Sequence, residues 1–106
     1  MSAMPQYLVR MDITRADPLL PVERLVGVIR EAVLPSVESL IALKTQGKVL
    51  TGGYPIGQGA IVFIVETDSE EELNEILEGL PLSEVAEAKV TPLRTFEELR
   101  RVDGAT

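Results

Sequence analysis

The chain contains no cysteine and no histidine. The first absence excludes disulfides and thiol nucleophiles, and the second excludes imidazole acid–base chemistry. Together they exclude Cys/His zinc sites and His-ligated haem. Any general acid or base is therefore Asp, Glu, Lys, Tyr, a chain terminus or bound water. Positive charge is also scarce. Ten Lys and Arg face 17 Asp and Glu, a formal net charge of −7. Such a domain has no generic attraction for a phosphate backbone, so no nucleic-acid partner is expected. No run of about 18 apolar residues is present to span a bilayer. Met1–Gln6 shows no basic-then-apolar leader pattern. The expectation is a cytoplasmic protein with no membrane partner.

What is present is ordinary globular composition, 45% hydrophobic and 25% charged over 106 residues. That length supports one core, so residues 1–106 read as a single domain. Tyr7 to Ile13 alternates apolar and polar positions, the period of a half-buried strand. Thr14 to Pro21 reads as a connection. From Val22 to Gln46 the period changes: Val22, Leu25, Val26, Ile29, Val33, Val37, Leu40 and Ile41 recur every three or four residues, one stripe of a helix. Pro21 or Val22 falls at its first turn. Pro35 has no N–H to donate, so a kink or a split into two helices is expected near Leu34. Gly47 is a stop signal.

Lys48 to Ile56 reads as a strand whose Gly52, Gly53 and Pro55 imply a bulge, an edge or a close backbone approach. Gly57-Gln58-Gly59 reads as a hairpin turn, followed by Ala60–Val65, a strand apolar on both faces. Asp68 with Glu71, or Ser69 with Glu72, has capping-box spacing at the start of the next helix. Its acidic cluster is helix-start chemistry rather than a metal site, and no metal or cofactor is expected. Leu73, Ile76, Leu77 and Leu80 form that helix's stripe, and Gly79 and Pro81 end it. Val85–Leu93 is the last strand, with Ala86, Ala88 and Val90 on one side and Glu87, Lys89 and Thr91 on the other. Thr95 opens a short helix to about Val102, and Asp103 to Thr106 reads as a frayed tail. Tyr7, Met11, Phe63 and Phe96 read as core.

The order β-α-β-β-α-β specifies an α+β, ferredoxin-like sandwich: a four-stranded antiparallel sheet with helices on one face. The other face needs a cover. The same face of a second copy supplies one, giving a homodimer or a larger closed oligomer.

Several pieces resemble muconolactone isomerase and its relatives in the dimeric α/β-barrel group. They are Val9-Arg10-Met11-Asp12-Ile13, Gly47, Gly57, and the block from Val65 to Leu93. That block contains Asp68-Ser69, Leu80-Pro81-Leu82 and Val90-Thr91-Pro92-Leu93. The resemblance implies the same fold, tight dimers, and an intramolecular proton shift on a small unsaturated lactone without a cofactor. Where the family is rich in Arg, His and Trp after the helix-ending glycine, this chain has Lys48-Val49-Leu50-Thr51-Gly52-Gly53-Tyr54.

A proton shift needs a base beside a carbonyl and a donor for the enolate oxygen. Without histidine, a desolvated carboxylate is the natural base. Glu38, which aligns with a glutamate of the resembling family, is the candidate. Its bland alternative is a solvated helix-face carboxylate. Tyr54 is the candidate enolate donor, or else a core or interface aromatic. Arg10 suits a substrate carboxylate, unless it pairs with Asp12 or across the sheet. Thr51 and Gln58 are further polar lining candidates. Two other readings stand beside the isomerase. One is a cofactor-independent oxygenase or cyclase on a polycyclic substrate. The other is a non-catalytic, oligomeric ligand-binding or interaction module.

Overall fold

The computed structural model describes residues 4–13 and 22–104. The Thr14–Pro21 connection, Pro21 as a first-turn residue, the start of the chain before Met4 and the last two residues lie outside that range. So do the side chains of Val22 and Leu25.

Strand β1 (Gln6–Asp12) alternates as its sequence requires, with Tyr7, Val9 and Met11 buried. The long apolar stripe forms α1 (Val22–Val28), a π-helical segment (Ile29–Val33) and α2 (Leu34–Thr45). The interruption near Leu34 is thus a widened turn rather than a break. The Leu34 N–H bonds the Ile29 carbonyl, five residues back, and Pro35 occupies the first turn of α2, where its missing N–H costs little. Gly47, at φ 83°, ends the helix: its N–H bonds the Lys44 carbonyl, and that of Lys48 bonds the Leu43 carbonyl.

Strands β2 (Val49–Gly53) and β3 (Ala60–Glu66) form the hairpin, turning through Gly57 and Gly59 at positive φ. Helix α3 (Glu70–Glu78) starts at Ser69, whose hydroxyl accepts from the Glu72 N–H, so the second capping pair is the one used. A short 3₁₀ turn over Pro81–Glu84 precedes β4 (Glu87–Leu93). Helix α4 (Phe96–Gly104) is capped by the Thr95 hydroxyl, which accepts from the Glu98 N–H.

The sheet order is β2-β3-β1-β4, every neighbour antiparallel, so the ferredoxin-like α+β arrangement holds. One face of the sheet packs against helices around Val9, Met11, Phe63, Val65, Leu80 and Leu82. Ser36 on α2 is buried in that layer and accepts from the Leu82 N–H at 2.8 Å, tying the helix to the 3₁₀ turn. The opposite face stays open, with Leu8, Val62, Ile64 and Leu93 half-buried along it.

Three expectations need correction. Phe96 is 88% exposed rather than core, because it opens α4 beyond the sheet. Ala88 and Val90 do share one side of the last strand, opposite Met11 and Val9 of β1, but that side is exposed rather than covered there, because β4 is the outer edge strand on its side of the sheet. The final helix runs through Asp103 to Gly104, where a frayed tail was expected.

Candidate functional site

Helix α2 and the β2–β3 hairpin enclose a cavity of about 250 Å³ on the helix side of the sheet. The helix contributes Val37, Leu40, Ile41 and Lys44, preceded by Val33 of the π segment. These are successive members of one stripe, spaced by three and four residues so that they share a helix face. Val49, Ile61 and Phe63 form apolar floor, and Gly52, Gly53 and Tyr54 form the edge. Gly52 is required by close approach. A Cβ there would lie 2.7 Å from both Phe63 Cβ and the Val62 carbonyl oxygen. Sequence reasoning named a bulge, an edge or a close approach for this stretch, and all three occur. β2 is an edge strand, its register slips between Val49 and Thr51, and its backbone presses on β3 at Gly52.

A second, shallower depression of about 380 Å³ lies across the sheet on its open face, where Leu8, Thr51, Val62 and Ile64 line it. Tyr54 borders both depressions and is 55% exposed.

The five candidate side chains are dispersed. Tyr54 lies at the cavity edge and Thr51 in the open-face depression. Arg10 and Gln58 meet each other: Arg10 Nη2 donates to Gln58 Oε1 at 3.1 Å, while Arg10 Nε donates to Asp12 at 3.0 and 3.2 Å. That pairing fastens the hairpin turn to β1 and engages the guanidinium within the chain. Glu38 is exposed on α2, one position around the helix from Val37, and lines neither depression.

Lys44 was missed. Its signal was available, since it continues the stripe through Val33, Val37, Leu40 and Ile41, but a search for apolar periodicity stops at the first charge. Among the described residues it is the only charged one that lines the cavity, and no carboxylate pairs with it. The arrangement offers apolar walls, one ammonium and one phenol. Among the described residues no Asp or Glu lines it, and no cluster of acidic side chains is placed to hold a metal ion. No helix among the described residues is long and apolar enough to cross a membrane.

The family model for muconolactone delta-isomerase matches residues 6–98. Among solved structures, a crystal structure of muconolactone isomerase superposes with a TM-score of 0.67 at 19% sequence identity, over 85% of this chain and 88% of that one. No curated protein sequence matches the chain.

Proposed function

The chain belongs to the muconolactone delta-isomerase family, its match covering residues 6–98, and from that premise we propose a cofactor-independent isomerase that shifts a proton within a small unsaturated lactone. The observation that carries this reading is the apolar cavity between α2 and the hairpin, with the Tyr54 phenol at its edge and Glu38 on the helix that forms its wall. The ring lies against Val37, Ile41 and Phe63. Glu38 removes the proton alpha to the carbonyl and returns it at another carbon, while Tyr54 donates to the enolate oxygen. Thr51 lines the open-face depression across the sheet and does not reach a ring held in this cavity. Arg10 and Gln58, already bonded to each other, hold the hairpin turn in place rather than gripping the substrate.

A carboxylate base needs desolvation, and Glu38 is exposed in a single chain. The reading therefore ties activity to self-association, as a homodimer or a larger closed oligomer. A cytoplasmic setting and a step in aromatic catabolism accompany it. The test is an ultraviolet-absorbance assay with an unsaturated lactone. Wild type should turn over, and Glu38→Gln should lose on the order of 100-fold or more, the usual worth of a positioned acid–base group. Intact turnover in Glu38→Gln would remove that residue as the base.

A second reading, binding without turnover, is favoured by one observation: no described carboxylate lines the cavity itself. A saturable ligand with no absorbance change would select it. The cavity volume of about 250 Å³ suits one ring and ranks a polycyclic oxygenase or cyclase substrate behind both.

A further inference from the structure

We propose that Lys44 is the anion anchor of the helix-side cavity and restricts its ligand to a single-ring, largely apolar molecule bearing one negative charge. The inference rests on that cavity being the ligand site, and it holds whether or not turnover occurs there. Three observations carry it.

The first is position. Lys44 stands on the last turn of α2, on the stripe whose other members, Val37, Leu40 and Ile41, are cavity wall. It is exposed while lining an otherwise apolar wall, and a long cationic side chain on such a face ordinarily lays its stem on the apolar surface and keeps its charge in water. The second is that Lys44 is uncommitted. Lys48 is paired with Glu72 at 3.2 Å, and Arg10 with Asp12 at 3.0 Å, whereas no described carboxylate meets Lys44. The third is the poverty of the rest of the wall. Among the described lining residues there is one ammonium and one phenol, so a first carboxylate finds a partner. A second would face hydrocarbon without one, which is strongly unfavourable. A ligand thus enters ring first, with its one charge held outward.

A helix-end lysine also complements the negative end of the helix dipole, so the experiment must separate ligand recognition from helix support. Full-length wild type, Lys44→Ala, Lys44→Arg and Lys44→Glu are titrated by calorimetry with benzoate, neutral benzamide and dianionic phthalate. Amide chemical shifts of Val37, Ile41 and Tyr54 report whether each probe occupies the cavity. Wild type should prefer benzoate over benzamide by about tenfold, the factor that corresponds to about 1.4 kcal/mol, and should disfavour phthalate. Lys44→Ala should abolish the preference while keeping benzamide binding. Lys44→Arg should retain it, and Lys44→Glu should reverse it. Raising salt should weaken benzoate but not benzamide.

If benzoate and benzamide both occupy the cavity and Lys44→Ala leaves their ratio unchanged, the anchor is wrong while the cavity reading stands. If no probe shifts Val37, Ile41 or Tyr54 in wild type, the cavity is not the ligand site and the anchor falls with it. Helix support alone would lower the thermal midpoint of Lys44→Ala without changing the ratio, which also overturns the proposal.

Discussion

Gly52 and Ser36 show how much can turn on one atom. An added methyl at Gly52 meets Phe63 Cβ and the Val62 carbonyl at 2.7 Å, and backbone cannot step aside as a flexible side chain can. Gly52→Ala should destabilise the chain by about 1–3 kcal/mol, the usual cost of overpacking. Gly53→Ala meets nothing within 4 Å and should leave the thermal midpoint nearly unchanged. Equal effects from the two would contradict the close approach. Ser36→Ala should cost a similar ~1–3 kcal/mol, because it leaves the buried Leu82 N–H without a partner. Urea midpoints of the three variants decide both points. The glycines were legible because a Gly-Gly pair inside a strand has few uses. Ser36 was not, because its partner is 46 residues away and a serine on a helix gives no sign of which face it takes. Lys44 and Glu38 illustrate the same limit. They lie six positions apart on one helix, and only the packing of that helix decides which of them faces the cavity.

At the scale of elements, local rules placed the helix ends well. Gly47, Ser69 and Thr95 act where the sequence puts them, because capping is a contest between neighbouring groups and needs no distant partner. Ser69→Ala should cost about 1 kcal/mol by removing the acceptor for the Glu72 N–H, while Ser69→Asp should restore it. A thermal midpoint unmoved by Ser69→Ala would show that α3 is held by Leu73 and Leu77 alone. The form of the interruption before Pro35 was less legible. Proline forbids a regular hydrogen bond at its own position, but a kink, a break and a widened turn all satisfy that prohibition. The π segment meets that prohibition while leaving Val33 and Val37 on the same wall. The last strand fared worst. Its alternation is real, yet alternation says only which residues share a side, and at an edge strand neither side is assured of cover.

The whole molecule leaves apolar surface that a single chain does not use. Its radius of gyration is 16.0 Å, against roughly 13 Å for a compact chain of this length, and α4 carries Phe96 and Leu99 exposed. On the open face, Leu8 pairs with Ile64 and Arg10 with Val62 across β1 and β3, so Leu8, Val62 and Ile64 form a continuous half-buried patch near the sheet centre. The topology that creates this patch followed from the element order, whereas its occupant is a matter of association, which one chain's sequence encodes only as leftover hydrophobicity. Full burial of such a side chain is worth about 1.5–3 kcal/mol, of which these half-buried ones still have a part to gain, and a two-fold axis counts every contact twice. A homodimer at micromolar concentration is the expected outcome by light scattering. Ile64→Lys puts a charge into the seam where the partner offers hydrocarbon, and the variant should sediment as a monomer with its far-ultraviolet circular dichroism intact. The seam lies on the side of the sheet opposite α2, so the same variant should still bind a single-ring ligand beside Lys44. A wild-type chain that is monomeric at that concentration would leave this apolar patch without the cover that a second copy is expected to give it.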